Sequence, residues 1–161
     1  GSLYHPDLAP VVGLCAAIAT GGIPCQAVPD ISGDLWAKML FNCPLNAVGA
    51  VLGLPYGALA ESEHSRLIME SIIHEVFCVM DAAGYETHWP TARDYLPDFY
   101  DKLVPSTARH YSSTLQDLRA GKRTEIDALN GAIVALGAAH RVPVPANEIF
   151  YRLIKQLESQ A

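Results

Sequence analysis

The apolar segment LWAKMLFNCPLNAVGAV, residues 35–51, contains three polar side chains spaced four residues apart: Lys38, Asn42 and Asn46. In a helix, residues four apart are offset by about 40° around the axis, so all three lie along one stripe of the surface. The apolar neighbours of this stripe, such as Met39, leave little room for a solvent face. The pattern therefore predicts a largely buried helix whose polar stripe meets another polar group.

Composition limits the partners that such a chain can have. The sequence has 161 residues, of which 50% are hydrophobic, and this is enough for one compact domain with a substantial core. Its formal net charge of -6 and its scattered Lys and Arg residues argue against nucleic acid or a membrane surface as a partner. Charged residues make up 17%, below the roughly 25% usual for soluble domains, so we expect apolar surface that another domain or subunit covers.

Neither a metal site nor a disulfide framework is indicated. The helical pair Glu70 and His74 lacks a third ligand, so we predict that no metal is bound. The sequence has neither about 18 consecutive apolar residues nor a signal-peptide pattern, so a cytoplasmic location is expected. The cysteines are irregularly spaced with no C-x-x-C pair, and we expect four reduced core residues: Cys15, Cys25, Cys43 and Cys78.

Hydrophobic periodicity is helical along most of the chain, and the predicted fold class is all-α. Glycines at 21–22, 53 and 84 are predicted to end the first three helices. Residues 23–30, IPCQAVPD, are interpreted as a short strand or an extended linker. The proline-rich segment 90–105 is predicted to hold one short helix with loops. The other helices are predicted at 7–20, 33–51, 62–83, 106–120, 125–140 and 146–158.

A helix start is predicted near residue 125. Thr124, with Asp127 three residues later, is close to a capping box. This cap would place Glu125 in the first turn of the helix at 125–140. The positive end of the helix dipole favours a carboxylate there, which is a sufficient structural reason for an acid at this position.

Three blocks of sequence resemble the ketopantoate reductase (2-dehydropantoate 2-reductase) family. LWAKMLFNCPLNAVGAV, residues 35–51, is similar to the pattern W-x-K-x-x-x-N-x-x-x-N. YSSTLQDLRAGKRTEIDALNG, residues 111–131, is similar to S-S-M-x-Q-D-x-x-x-x-x-x-T-E-I-D-x-I-N-G, and Pro-Ala-Asn follows at 145–147. The blocks stand in the order and at the distances of the family, and the resemblance extends from about residue 30 to the end of the chain.

The resemblance implies an all-α, multi-helix bundle similar to the C-terminal domain of 6-phosphogluconate dehydrogenase, with the substrate-binding and catalytic residues at 31–161. It also implies that residues 1–30, a helix and a strand-like linker, are the tail of a preceding Rossmann domain. The sequence contains no G-x-G-x-x-G motif, and AGKRT at 120–124 lacks the upstream glycine of a P-loop. We therefore expect NADPH to be held mainly by the Rossmann domain, and the chain alone to be inactive.

The implied reaction is the reduction of ketopantoate to pantoate, a step of pantothenate and coenzyme A biosynthesis. Hydride transfer to the C2 carbonyl of a 2-oxo acid develops negative charge on oxygen, so the site needs a proton donor there. By resemblance Lys38 is this donor, and Asn42 and Asn46 contact the substrate. Ser113 would bind the polar end of the substrate, and Glu125 would lie by the cofactor and the substrate in the cleft between the domains.

Three positions depart from the family pattern. His110 and Tyr56 stand where many members carry Asn, and Thr114 replaces Met. The two Asn positions would hold substrate hydroxyls, so a reductase of this family acting on another 2-oxo acid is one alternative. Another alternative is a non-catalytic helical domain in which the polar stripe is a partner or dimer surface. We also expect a homodimer formed through the long helices.

Overall fold

The computed structural model describes residues 7–160. Residues 1–6 and 161 lie outside the described range, and with them the first part of the tail predicted at 1–30. Regular structure within 7–160 is entirely helical, which confirms the all-α prediction. A π-helical turn, Phe99–Leu103, joins the fifth and sixth α-helices. The α-helices are α1 (Ala9–Thr20), α2 (Ser32–Leu52), α3 (Tyr56–Glu61), α4 (Glu63–Ala83), α5 (Ala92–Asp98), α6 (Val104–Ser106), α7 (Ser113–Arg119), α8 (Asn130–His140) and α9 (Pro145–Glu158).

Glycines end the two longest helices, as the sequence predicts. Gly53 after α2 and Gly84 after α4 have φ values of 66° and 72°, in the left-handed region that glycine enters without a Cβ penalty. The Ser62 hydroxyl caps the start of α4 by accepting a hydrogen bond from the Ser65 amide at 3.4 Å. The predicted bounds of both helices lie within one residue of the observed bounds.

The prediction for residues 90–105 is wrong. Instead of one short helix with loops, α5, the π-helical turn and α6 form continuous helical backbone from 92 to 106. Pro105 is the second residue of α6, directly after the π-helical turn. Pro97 lies inside α5, and the π-helical turn begins two residues later, where it accommodates the altered hydrogen bonding.

Three further helix starts differ from the predictions. α7 begins at Ser113 rather than at 106, because the His110 amide closes a turn onto the Thr107 carbonyl at 2.8 Å. α8 begins at Asn130 rather than at 125, because Leu129 takes non-helical angles, φ -102° and ψ -105°. The short helix α3 is not predicted by the sequence, since Gly57 lies in its first turn.

Helix α2 forms the centre of the bundle. It packs on α4, and α7 and α9 lie against it. All residues of α2 from 43 to 50 are buried, so this half of the helix is enclosed on all sides. By length and composition α2 could also cross a membrane, but half of its apolar window is buried inside the bundle, as in a core helix. The structure therefore gives α2 a packing role.

Helix α1 and the residues after it lie outside this core. No residue of α1 is buried, and residues 23–30 have no regular secondary structure and form no strand. Val12, Leu14 and Ile23 are more than half exposed, at 52%, 62% and 64%. These side chains give α1 and the residues after it an exposed apolar surface.

The cysteines are free, but only one of them is a core residue. Cys43 on α2 is buried, and this burial raises the pKa of its thiol. Cys15 and Cys25 are half-buried, and Cys78 on α4 is exposed. The prediction of four core cysteines is therefore wrong for three of them, because no residue of α1 or of the segment 21–30 is buried and Cys78 lies on the outer face of α4.

Candidate active site

The polar stripe of α2 runs from solvent into the core. Lys38 is exposed, Asn42 is half-buried, and Asn46 is 4% exposed. The three side chains span about 12 Å along the axis, since each helical residue adds about 1.5 Å. The expectation that the stripe avoids solvent is thus correct for Asn46 and wrong for Lys38, whose end of α2 lies beyond the core.

Lys38 offers an ammonium group without a bound carboxylate. No ion pair among residues 7–160 includes it, whereas Lys102 pairs with Asp98 and Lys155 pairs with Glu158. A lysine ammonium has three donors, and those of Lys38 remain available to a ligand. This end of the stripe can therefore supply a positive charge or a proton.

Asn46 contacts one of the residues that depart from the family pattern, and that residue contacts another. The Tyr56 hydroxyl donates a hydrogen bond to Oδ1 of Asn46 at 2.6 Å. Tyr56 is 3% exposed, and burial raises its pKa to about 12, so the hydroxyl keeps its proton at neutral pH. The ring of Tyr56 meets the ring of His110 edge to face, with 5.2 Å between the centroids. The structure thus joins Tyr56 and His110 to the inner end of the stripe.

The two serines at the start of α7 have different surroundings. Ser112 is fully buried, and its hydroxyl caps α7 by accepting a hydrogen bond from the Leu115 amide at 3.1 Å. It lies against α2 at Gly49, where an added Cβ would be 3.8 Å from the Ser112 Cβ. Ser113 is exposed, and its hydroxyl has no hydrogen-bond partner within 7–160. Only Ser113 is therefore free to bind a ligand.

Glu125 lies on a turn, five residues before α8 begins. The helix-dipole explanation for an acid at this position is therefore wrong, and the carboxylate is exposed. The preceding residue, Thr124, is anchored to α9: Oε1 of Glu158 accepts hydrogen bonds from its amide and its hydroxyl, both at 2.7 Å. Glu125 thus stands in solvent on a segment whose backbone is fixed.

Asp127 does not complete a capping box with Thr124. Its carboxylate instead accepts hydrogen bonds from Arg123 at 2.8 Å and from the Tyr151 hydroxyl at 2.9 Å. These two bonds, and a weaker one from Lys155, lower the pKa of Asp127 to about 2. The carboxylate therefore connects the turn to α9 rather than capping α8.

A buried polar network includes two asparagines of the family blocks. Asn130 donates from Nδ2 to the Cys43 carbonyl at 3.3 Å and to Oδ1 of Asn147 at 3.0 Å. Asn147 donates from its amide and from Nδ2 to Oε2 of Glu75, at 2.9 Å and 2.7 Å. The network links α2, α4, α8 and α9, so these two motif residues hold the bundle together. The motif spacing alone did not separate them from ligand-binding residues.

Of the predicted site residues, Lys38, Asn42 and Asn46 lie on α2, Ser113 lies at the start of α7, and Glu125 lies on the turn before α8. Among residues 7–160, no hydrogen bond or ion pair connects Lys38, Ser113 and Glu125. Each of them instead presents a free polar group to solvent. An all-α bundle whose central helix carries two carboxamides and a lysine that is unpaired among the described residues defines a class of helical domain that offers ammonium and amide donors to a ligand oxygen.

The particular family follows from comparison with known proteins. Residues 30–158 match the family described as ketopantoate reductase PanE/ApbA C terminal, and the chain belongs to this family. It corresponds to the C-terminal part of these enzymes, as the three sequence blocks predict.

Relatives of known sequence support this assignment. The chain is 41% identical over 145 residues to 2-dehydropantoate 2-reductase of Aquifex aeolicus (strain VF5), and the match covers 90% of this chain and 46% of that protein. It is 32% identical over 159 residues to 2-dehydropantoate 2-reductase of Pyrobaculum aerophilum, with coverage of 99% and 54%. The chain therefore spans about half the length of the relatives that it matches.

Solved structures show the same fold. A PanE/ApbA family ketopantoate reductase from Ralstonia eutropha JMP134 superposes with a TM-score of 0.81 at 37% identity, covering 92% of this chain and 48% of that one. The D-mandelate dehydrogenase structure with NADH and anilino(oxo)acetate superposes with a TM-score of 0.83 at 21% identity, covering 94% and 49%. At that identity the second similarity concerns the fold alone.

Proposed function

We propose that the protein containing this chain is an NADPH-dependent 2-dehydropantoate 2-reductase, and that this chain is its substrate-binding half. The observation that carries the proposal is the exposed Lys38, which is unpaired within residues 7–160 and lies on the same stripe of α2 as Asn42 and Asn46. In this proposal residues 31–161 form the substrate-binding and catalytic domain, and residues 1–30 belong to a preceding Rossmann domain in the cytoplasm. The exposed apolar side chains of α1 support this division.

Lys38 would act on the oxygen of the substrate ketone. As the C2 carbonyl is reduced, negative charge grows on its oxygen, and an ammonium held nearby lowers the energy of that charge and can transfer its proton. A solvent-facing lysine would be desolvated when the preceding domain closes over it. Desolvation strengthens the electrostatic interaction between the ammonium and the oxygen.

The neutral polar residues would hold the substrate in place. Asn42 and Asn46 lie on the same stripe as Lys38 and offer amide donors to the oxygens of a 2-oxo acid. Ser113, whose hydroxyl is free at the start of α7, would bind the polar end of the substrate. These contacts fix the position of the ketone relative to the ammonium.

NADPH would be held mainly by the Rossmann domain, because this sequence offers no glycine-rich phosphate loop. When bound, the cofactor would supply the hydride. Within this chain the proposed cofactor contact is Glu125, whose exposed carboxylate can accept hydrogen bonds from hydroxyl or amide groups but repels phosphates. It therefore fits the nicotinamide end of the cofactor.

Kinetics of the full-length protein test the proposal. Lys38→Ala should lower kcat with ketopantoate about 10²–10⁴-fold, the range for losing one general acid, while NADPH affinity changes little. Lys38→Arg should rescue poorly, because a planar guanidinium does not release its proton or occupy the place of an ammonium. Lys122→Ala is the matched control, since Lys122 is also exposed and in no described ion pair. A Lys38→Ala enzyme with the kcat of the unmodified protein would contradict the assignment.

The chain alone gives a second test of the two-domain proposal. It should bind NADPH weakly in calorimetry and show no ketopantoate reduction. Measurable turnover by the isolated chain would mean that it contains a nucleotide site of its own, and the division into domains would then be wrong.

A homodimer is part of the proposal. The outer face of α9 carries three exposed apolar residues at four-residue spacing, Ile149 at 58%, Leu153 at 42% and Leu157 at 36%. Residues with this spacing form one apolar stripe that a second copy could cover. Light scattering should therefore give twice the mass of the chain, and a monomer at high concentration would refute the dimer without affecting the family assignment.

A further inference from the structure

An asparagine carboxamide has an acceptor atom, Oδ1, and a donor atom, Nδ2. In Asn46 the acceptor Oδ1 is already hydrogen-bonded within the structure. Its Oδ1 accepts the hydrogen bond of the Tyr56 hydroxyl at 2.6 Å, and no other described side chain binds Asn46. Nδ2 is then the end left for a ligand. With Nδ2 presented, Asn46 can only donate hydrogen bonds, so its partner must be an acceptor oxygen.

Tyr56 is itself held on three sides. Its amide donates to the His110 carbonyl at 3.0 Å, and its ring meets the His110 ring edge to face. On another side the ring of Phe41 lies 6.0 Å away, also edge to face. The next amide, that of Gly57, donates to the Ala108 carbonyl at 2.9 Å, and an added Cβ at Gly57 would lie 3.0 Å from the Ala108 Cβ. The hydroxyl that binds Asn46 therefore has a fixed position.

We propose that Tyr56 is a positioning residue that holds the Asn46 carboxamide with Nδ2 toward the substrate, so that Asn46 recognises an acceptor oxygen of the 2-oxo acid. This inference rests on the proposed function. It gives a functional role to Tyr56, which stands at a position where many family members carry Asn. It also narrows the substrate group facing Asn46 to one whose oxygen accepts a hydrogen bond, such as a carboxylate or carbonyl, and excludes a hydroxyl that donates its proton to Asn46.

The first experiment removes only the hydroxyl. Tyr56→Phe in the full-length protein keeps the ring and its contacts but leaves the carboxamide free to rotate. KM for the 2-oxo acid should rise about 3- to 10-fold, the equivalent of one neutral hydrogen bond, with kcat changed less than twofold. In an Asn46→Ala background the same substitution should have no further effect on KM, because Tyr56 acts only through Asn46. Additive effects of the two substitutions would overturn the proposal.

Tyr100→Phe is the matched control. Its hydroxyl also donates one hydrogen bond, to the Arg66 carbonyl at 3.3 Å, but it does not contact Asn46. This variant should leave KM unchanged. Melting curves of both tyrosine variants separate a loss of folding from a change in positioning, and a KM that rises equally in both would refute a specific role for Tyr56.

The second experiment tests which end of Asn46 faces the substrate. Asn46→Asp replaces Nδ2 by oxygen of the same size, and that oxygen would face the acceptor oxygen of the substrate. KM should then rise more for Asn46→Asp than for Asn46→Ala, by at least about 10-fold, because a carboxylate repels a substrate carboxylate or carbonyl oxygen. An Asn46→Asp enzyme that binds substrate as well as Asn46→Ala, or better, would show the opposite orientation.

Lys38→Ala separates this inference from the proposed function. If Lys38→Ala retains full turnover, the proposed function fails. If Lys38→Ala is inactive while Tyr56→Phe has the KM of the unmodified protein, the proposed function stands and the positioning role of Tyr56 fails.

Discussion

The carboxylate of Glu75 caps a helix that begins some 70 residues later in the chain. It accepts hydrogen bonds from the amides of Ala146 and Asn147, at 2.7 Å and 2.9 Å, and from Nδ2 of Asn147 at 2.7 Å. These two amides belong to the first turn of α9, which has no intrahelical acceptor for them. Glu75 thus provides from α4 the cap that a serine or aspartate normally provides from within the helix.

The cost of removing this cap can be estimated from the contacts. Loss of a helix cap costs about 0.5–2 kcal/mol, and an unsatisfied buried donor costs about 1–3 kcal/mol. Asn147 is fully buried, although its Nδ2 also donates to the Ile72 carbonyl at 3.3 Å, which moderates the second contribution. We therefore expect Glu75→Ala to lower the free energy of unfolding by about 2–4 kcal/mol. For a chain of this size that is a fall in Tm of about 5–12 °C.

Urea and thermal unfolding of the isolated chain would measure this effect. Glu75→Gln, which keeps one acceptor oxygen, should lose about half as much stability as Glu75→Ala. Asp81→Ala is the control, because Asp81 is an exposed acid on the same helix, and its removal should change stability by less than about 0.5 kcal/mol. If the free energy of unfolding of Glu75→Ala lies within about 0.5 kcal/mol of that of the unmodified chain, the effect is no larger than that of a surface substitution. The cap would then not contribute to stability, and the estimate would be refuted.

Two further substitutions test local features of the bundle. Gly137→Ala should destabilise the chain by about 1–3 kcal/mol in urea unfolding, because the new Cβ would lie 2.9 Å from the Val142 carbonyl oxygen and 3.0 Å from Val144; a neutral result would mean that the loop after α8 can move away. The Arg123 contact lowers the pKa of Asp127 to about 2, so its contribution is present above about pH 4 and is lost between about pH 4 and 2. Asp127 is 37% exposed, which limits this contribution to about 0.5–1 kcal/mol. Asp127→Asn should remove that part of the acid-induced loss of stability. If the variant loses as much stability between about pH 4 and 2 as the unmodified chain, the contribution of Asp127 is refuted.

The long helices could be predicted because their signals are local. The periodicity of α2 and α4 and the glycines that follow them are features of the segments themselves, and the predicted bounds of both helices agree with the observed bounds to within one residue. The prediction for the proline-rich segment is wrong because proline ends many helices but does not end this one. The helical backbone instead continues past Pro97 through a π-helical turn. This turn begins at Phe99, which is fully buried in the core, so its conformation depends on packing with distant residues.

In the candidate site, too, only the features that depend on local sequence could be predicted. The helical spacing of Lys38, Asn42 and Asn46 was sufficient to place them on one stripe. It could not show that Tyr56 binds Asn46, since the first turn of α3, which begins at Tyr56, is oriented by backbone hydrogen bonds to residues 108 and 110. Nor could it show that Glu125 precedes its helix, because Thr124 is held by Glu158, 34 residues away in the chain. Contacts between residues far apart in the chain cannot be predicted from local hydrophobic periodicity.

Helix α2 both forms the centre of the bundle and carries the polar stripe. Substitutions that change its packing can therefore also change the position of the stripe. Leu40 and Cys43 are fully buried on the same rigid backbone that carries Lys38. If a larger or smaller side chain at either position turned α2 by about 10° about its axis, the Lys38 ammonium would move by about 1 Å. A misplacement of that size can cost about 100-fold in rate. Some core substitutions should therefore leave a folded, thermally stable protein with impaired turnover, and a screen for activity would assign them to the active site although they never touch a substrate.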